Sequence, residues 1–244
     1  MCAVYLATVF CLEVLAAAVG WPWLKWIELL GIVVATGVVI ALVERGRWSL
    51  GLAIPPRIAA AELLGGMLFA AILIVAADRL IALSEPLRHA RGSGFPWLEL
   101  VAVFVPAALH EELMFRGYVY QKLRTWSRAG AIAITSGLFA ALHGGNGGVT
   151  PIAMANLLLA GVLLALAYER RRHLWLPIGI HIGWNVASGP LLGYGVSGYV
   201  AGMTVMTTSA AGPPWITGGA FGIEGSVWMV AVEVVGIAVL LKKR

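Results

Sequence analysis

Residues 97–123, WLELVAVFVPAALHEELMFRGYVYQKL, decide how this chain is read. The run is apolar enough for a membrane-spanning helix, yet Glu111, Glu112 and Arg116 stand within it. An ionisable side chain at the centre of a helix in hydrocarbon costs roughly 2.5–3.5 kcal/mol or more. Further along, His143 closes another apolar run, and His181 and Asn185 lie inside a third. One such residue would be tolerable. This set on three neighbouring runs points to a buried polar site and to chemistry done inside the bilayer.

Composition agrees with a membrane solvent. The chain is 60% hydrophobic and 12% charged, with mean hydropathy +0.89; a soluble domain carries about 25% charged residues. The deficit extends over the whole length, so we read one integral membrane domain over 1–244. The expected fold class is all-α, a polytopic transmembrane helical bundle of about eight spans. The apolar runs are 2–20, 26–43, 58–83, 97–123, 129–143, 151–168, 173–192 and 222–241. Trp21, Trp23 and Trp26 cluster at a run boundary, as an interfacial belt does.

The net charge of +5 does not imply nucleic-acid binding, because the basic residues occupy short connections. Arg45, Arg47 and Arg57 follow the second run, and Lys122, Arg124 and Arg128 the fourth. Arg170, Arg171 and Arg172 follow the sixth, and Lys242, Lys243 and Arg244 the eighth. These are alternate ends, and the positive-inside rule puts both termini in the cytoplasm. Localisation in the plasma membrane of a prokaryote is the expectation. The first run lacks a basic start, so it reads as a retained span rather than a cleaved signal. Cys2 and Cys11 give neither metal spacing nor a disulfide framework. The segment 193–221 is rich in Gly, Ser, Thr and Pro and faces outward on this topology; it reads as a linker, with a lid as the alternative.

The polar residues have a chemical logic. Glu112 and Arg116 are four apart, on one helical face, and can pair. Glu111 is rotated by about 100° from Glu112 and is free to face a cavity. His181 and Asn185 share a face by the same spacing. A carboxylate base, imidazoles and neutral hydrogen-bond donors are what amide hydrolysis needs. Taken singly, each element has a plain reading. The glutamates could mark a solvated helix end, His143 could be a helix C-terminal residue, and His181 with Asn185 could be interhelical hydrogen-bonding groups.

At these residues the sequence resembles the CPBP intramembrane proteases, which include the type II CAAX prenyl endopeptidases and the bacterial Abi proteins. Glu111, Glu112 and Arg116 match that family's Glu-Glu-x-x-x-Arg motif, Phe139 and His143 its Phe-x-x-x-His, and His181 and Asn185 its His-x-x-x-Asn. The resemblance covers about 105–190 and implies a catalytic core at about 97–192. It implies that Glu111 activates water with His143, that His181 and Asn185 form an oxyanion hole, and that Glu112 and Arg116 orient and neutralise the site. The partners implied are the lipid bilayer and a membrane-associated protein or peptide substrate. No cofactor is favoured. A zinc ion held by Glu111, His143 and His181 is the alternative left open, although Met114, four residues after His110, rules out the zincin pattern. Two rival classes are a non-catalytic immunity or scaffold protein of the same fold and a proton-coupled transporter. The latter would use Glu13, Glu62, Asp78, Arg79 and Glu233.

Overall fold

The computed structural model describes residues 24–45 and 50–242. The first apolar run at 2–20, with Cys2, Cys11 and Glu13, lies outside the described residues, as do Trp21, Trp23, Arg47, Lys243 and Arg244. From residue 24 onward each apolar run forms a helix. These are α1 (Leu24–Val38, widening over Val39–Val43), α2 (Pro56–Ser84), α3 (a continuous helical run over 97–124), α4 (Arg128–Leu142), α5 (Pro151–Arg171), α6 (Trp175–Val186, widening over Ala187–Leu191) and α7 (Val227–Leu241). Three helical stretches, Lys25–Val43, Pro56–Ser84 and Pro151–Arg171, are long and apolar enough to cross a membrane by themselves.

Local chemistry sets the boundaries. Ser127, Thr150 and Ser226 accept hydrogen bonds from the backbone N–H groups of Gly130, Ala153 and Trp228, capping α4, α5 and α7. The last apolar run was expected to be helical from 222. The helix begins only at Val227, because Gly222 sits at φ 100° and Ser226 is the cap. Within α3, Pro106 has no N–H to give to residue 102, and the turns just before it, Leu100–Phe104, open to the wider i→i+5 spacing. A second wide stretch, Leu113–Val119, contains Arg116.

Helix α6 is the centre of the bundle: every residue from Pro177 to Asn185 is buried. A helix apolar on all sides belongs inside a bundle. Its closest neighbour is α2, and glycines permit the approach. A Cβ at Gly179 would stand 2.2 Å from the Leu63 carbonyl oxygen, and one at Gly183 would stand 2.4 Å from the Met67 Cα. The bundle's outer faces carry Leu30, Val34, Leu64, Leu68, Ile72 and Val235, all exposed. Apolar surface on this scale is what lipid covers, and the chain is an integral membrane protein.

A small sheet is added to the helical frame. β1 (Leu87–Arg91) pairs antiparallel with β2 (Met206–Ala210), with Leu87 opposite Ala210 and Arg91 opposite Met206. Fully buried Asp78 on α2 anchors it, accepting from Tyr194 Oη at 2.8 Å and lying 3.1 Å from His89 Nε2. Arg79 is 2.7 Å from the same carboxylate. The segment 193–221 is therefore built structure rather than a simple linker. Asp78 and Arg79 hold the sheet, and Glu62 pairs with Arg171 at 2.6 Å. Glu233 is fully buried, with neither oxygen hydrogen-bonded among the described residues.

The close α2–α6 approach gives a direct test. Gly183→Val places side-chain atoms into the α2 backbone and should lower the melting temperature in detergent by the equivalent of roughly 1–3 kcal/mol. Gly137→Ala, whose Cβ meets nothing within 4 Å, should leave it unchanged. Equal melting of wild type and Gly183→Val would show that the two helices do not meet this closely.

Candidate active site

The site is assembled from α3, α4 and α6, with the turns after α4 and the segment after α6 completing it. Glu112 and Arg116, one turn apart on α3, form an ion pair of 2.9 Å with neither side chain exposed. Two bare charges in hydrocarbon would be prohibitive, and the surroundings compensate both. The guanidinium also donates to the Gly161 carbonyl on α5 at 3.1 Å. Its carbon lies 4.9 Å from the Phe139 ring centroid. The Glu112 oxygen that accepts from Arg116 is also 2.9 Å from His181 Nδ1. One carboxylate thus fixes Arg116 and the orientation of the His181 ring.

Glu111 points the other way, into a cavity of ≈ 570 Å³ shared with His143, His181 and Asn185. One Glu111 oxygen, Oε2, has no hydrogen-bond partner among the described residues. It stands 3.8 Å from His143 Nε2 and 3.9 Å from His181 Nε2. Those spans exceed a direct hydrogen bond of about 2.7–3.2 Å and suit one bridging atom.

The ring tautomers follow from the partners. His143 Nδ1 lies 2.8 Å from the Phe139 carbonyl, four residues earlier on α4, and His181 Nδ1 faces the Glu112 carboxylate. A carbonyl and a carboxylate only accept, so each Nδ1 carries the proton. In the neutral rings each Nε2 then offers a lone pair toward Glu111. Phe139 packs against both imidazoles, tilted against His143 at a centroid distance of 4.8 Å and edge-to-face with His181 at 6.1 Å. The motif's phenylalanine is therefore a wall that sets two rings and one guanidinium. Asn185, one turn beyond His181, lines the cavity, and its side-chain amide has no hydrogen-bond partner among the described residues.

The structure thus brings all six sequence-selected side chains together. Glu111, His143, His181 and Asn185 line the cavity, and Glu112 with Arg116 forms its buried support. His110 is also buried and lines the cavity.

The sequence reading missed the roof. Ser197 and Tyr199, from the segment after α6, close over the cavity. Glu224 holds Ser197, accepting from its N–H at 2.6 Å and its hydroxyl at 2.8 Å, and also accepts from Trp184 Nε1 on α6 at 2.8 Å. Glu99 accepts from the Gly202 N–H at 2.9 Å and Tyr199 Oη at 3.2 Å. The available signal was an acid between glycines, Gly222-Ile-Glu-Gly225, directly before an apolar span.

Two imidazole nitrogens and a carboxylate are, in kind, a zinc donor set, and each ring's other nitrogen is braced as in metal sites. Tetrahedral zinc places its donors about 3.4 Å apart. The observed separations are wider, and no three His, Cys, Asp or Glu side chains among the described residues close around an ion.

Residues 93–187 match the family model described as type II CAAX prenyl endopeptidase Rce1-like, a match that supports the CPBP resemblance of the three motifs. No curated protein and no solved structure matches the chain.

The buried pair predicts a stability signature. Arg116→Ala strands Glu112 and should cost about 3–5 kcal/mol, read as a lower melting temperature in detergent. Arg116→Met combined with Glu112→Gln should recover much of that loss. Melting of Arg116→Ala at the wild-type temperature would contradict a desolvated pair.

Proposed function

We propose that the protein is an intramembrane endopeptidase that hydrolyses a peptide bond in a membrane-associated protein or peptide. The observation that carries this reading is the unpartnered Glu111 oxygen held between two imidazole Nε2 atoms at the wall of a cavity.

In this reading a water molecule sits between Glu111 and His143, donating to both. Glu111 takes its proton as the oxygen attacks the scissile carbonyl. The developing oxyanion receives a hydrogen bond from the Asn185 amide, a neutral donor with no competing partner. His181 can add a second donor only when its ring carries both protons, because Nδ1–H is committed to Glu112. The resulting imidazolium would stand between the Glu111 and Glu112 carboxylates, and Arg116 keeps Glu112 ionised for that task. Glu111 then returns its proton to the leaving amine. A divalent ion, if bound, would be held by Glu111, His143 and His181 and would polarise the carbonyl and acidify the water. We favour the metal-free route because it gives Asn185, a poor zinc ligand but a good neutral donor, a role beside His181.

The finer topology belongs to the same proposal. The chain would be a single domain of about eight spans in a prokaryotic plasma membrane, with both termini cytoplasmic, supported by the alternating basic connections.

Glu111→Gln should abolish cleavage of a membrane peptide by purified protein while leaving yield and melting temperature unchanged. Near wild-type turnover in that variant would remove the proposed base. Asn185→Ala should lower kcat by about 10²–10³-fold with little change in KM; a pure KM effect would make Asn185 a binding residue instead. Metal analysis of the active protein should find no stoichiometric zinc, and chelator should leave turnover intact. One zinc per chain, lost in His181→Ala and in His143→Ala, would replace the metal-free route.

A further inference from the structure

We infer that the cavity lies at the extracytoplasmic end of the bundle, so that the protein takes its substrate from that side of the membrane rather than from the cytoplasm. The inference rests on the protease reading for the word substrate, and on the geometry together with the charge of the connections for the direction.

All the elements that form the cavity contribute from the same end of the bundle. α1 gives Lys25 and Glu28 from its first turns, and α3 gives Val103, Phe104 and Ala107 from its N-terminal half. α4 gives Leu142 from its last turn, with His143, Asn146 and Gly147 beyond it. α6 gives Asn185 from near its end, and Ser197 and Tyr199 follow from the roof. The floor lies deeper, where Arg116 reaches Glu112 and Gly161.

The basic residues collect at the other end. Of the 17 Lys and Arg residues, Arg116 is in the core, and Lys25, Arg79, Arg88 and Arg91 lie toward the cavity end. Two of these four are paired to carboxylates, Lys25 to Glu28 and Arg79 to Asp78, each at 2.7 Å. The remaining twelve belong to the opposite end or to the connections and terminus that follow it in sequence. Lys122 and Tyr118 meet Glu44 there, and Arg124, Arg128 and Arg172 share Glu169. Positively charged connections are retained on the cytoplasmic side. The end of the bundle that holds the cavity then lies away from it.

The substrate class follows from this direction. It is a peptide segment exposed at the outer leaflet, either next to a membrane anchor or arriving from outside. A lipid-modified C-terminus displayed in the cytoplasm lies on the wrong side to reach Glu111. The cavity's walls suit an extended segment with apolar side chains, since Val103, Phe104, Met114 and Leu142 flank the polar centre.

The test labels single cysteines in the full chain after Cys2→Ser and Cys11→Ser. Met203→Cys lies in the segment over the cavity end, where Met203 is 43% exposed, and Trp126→Cys lies at the basic end, where Trp126 is 84% exposed. Ala107→Cys is on the cavity wall, with Val103→Cys as a second position on the same wall should the first not be produced. A membrane-impermeant maleimide on intact cells should label the Met203 and cavity-wall positions, and Trp126→Cys only after permeabilisation. Labelling of Trp126→Cys in intact cells, or of the cavity wall only after permeabilisation, would overturn the inference. Labelling requires no turnover, so it reads orientation alone. The protease reading stands or falls separately on the Glu111→Gln turnover assay.

Discussion

The fully buried ion pair between Glu112 and Arg116 is the constraint around which the site is arranged. Neither side chain reaches solvent, so the pair survives only where every flanking element contributes compensation. α5 supplies the Gly161 carbonyl, α4 the face of Phe139, and α6 the Nδ1–H of His181. Four helices thereby converge on one guanidinium–carboxylate contact. Replacing such a pair with apolar residues often costs nothing in stability. Here its value lies in fixing where the His181 ring points, which a hydrophobic contact could not do.

The same contact separates the roles of two adjacent carboxylates. Glu111 and Glu112 are identical in chemistry and differ only by one step of helical rotation. That step puts Glu112 against a guanidinium and leaves Glu111 with an oxygen unclaimed in a cavity. Phe139 makes a similar double contribution. Its backbone carbonyl sets the His143 tautomer, and its ring packs against His143, His181 and Arg116. Over this centre, Glu224 and Glu99 fix the roof through backbone N–H groups as well as side chains. The position of the roof is therefore held whatever side chains it presents.

The two ends of the bundle differ in charge and in construction. At the basic end single carboxylates gather several cations. Glu169 accepts from Arg124, Arg128 and Tyr120, and Glu44 from Lys122 and Tyr118. The Lys122 hydrogen bond holds the Glu44 carboxyl below its ordinary pKa. The opposite end is closed by a two-stranded sheet tied to Asp78 rather than by charge clusters. Between them the exposed faces of α1, α2 and α7 are apolar, as lipid contact requires.

The sequence by itself determined the helices from residue 26 onward, because apolar runs bounded by capping residues and basic connections have few other solutions in a bilayer. It also determined the pairing of Glu112 with Arg116, since a four-residue spacing is a local property of one helix. Only the tertiary structure decided what depends on contacts between distant segments. His181 reaches across 69 positions to Glu112, which turns its free nitrogen toward Glu111 and makes it a lone-pair donor in the neutral ring. The segment 193–221 reads as a polar linker by composition, yet Glu224, Glu99 and Asp78 bind it down as a roof and a strand. Periodicity registers which face of a helix is apolar, but it carries no information about which distant carboxylate will be waiting there.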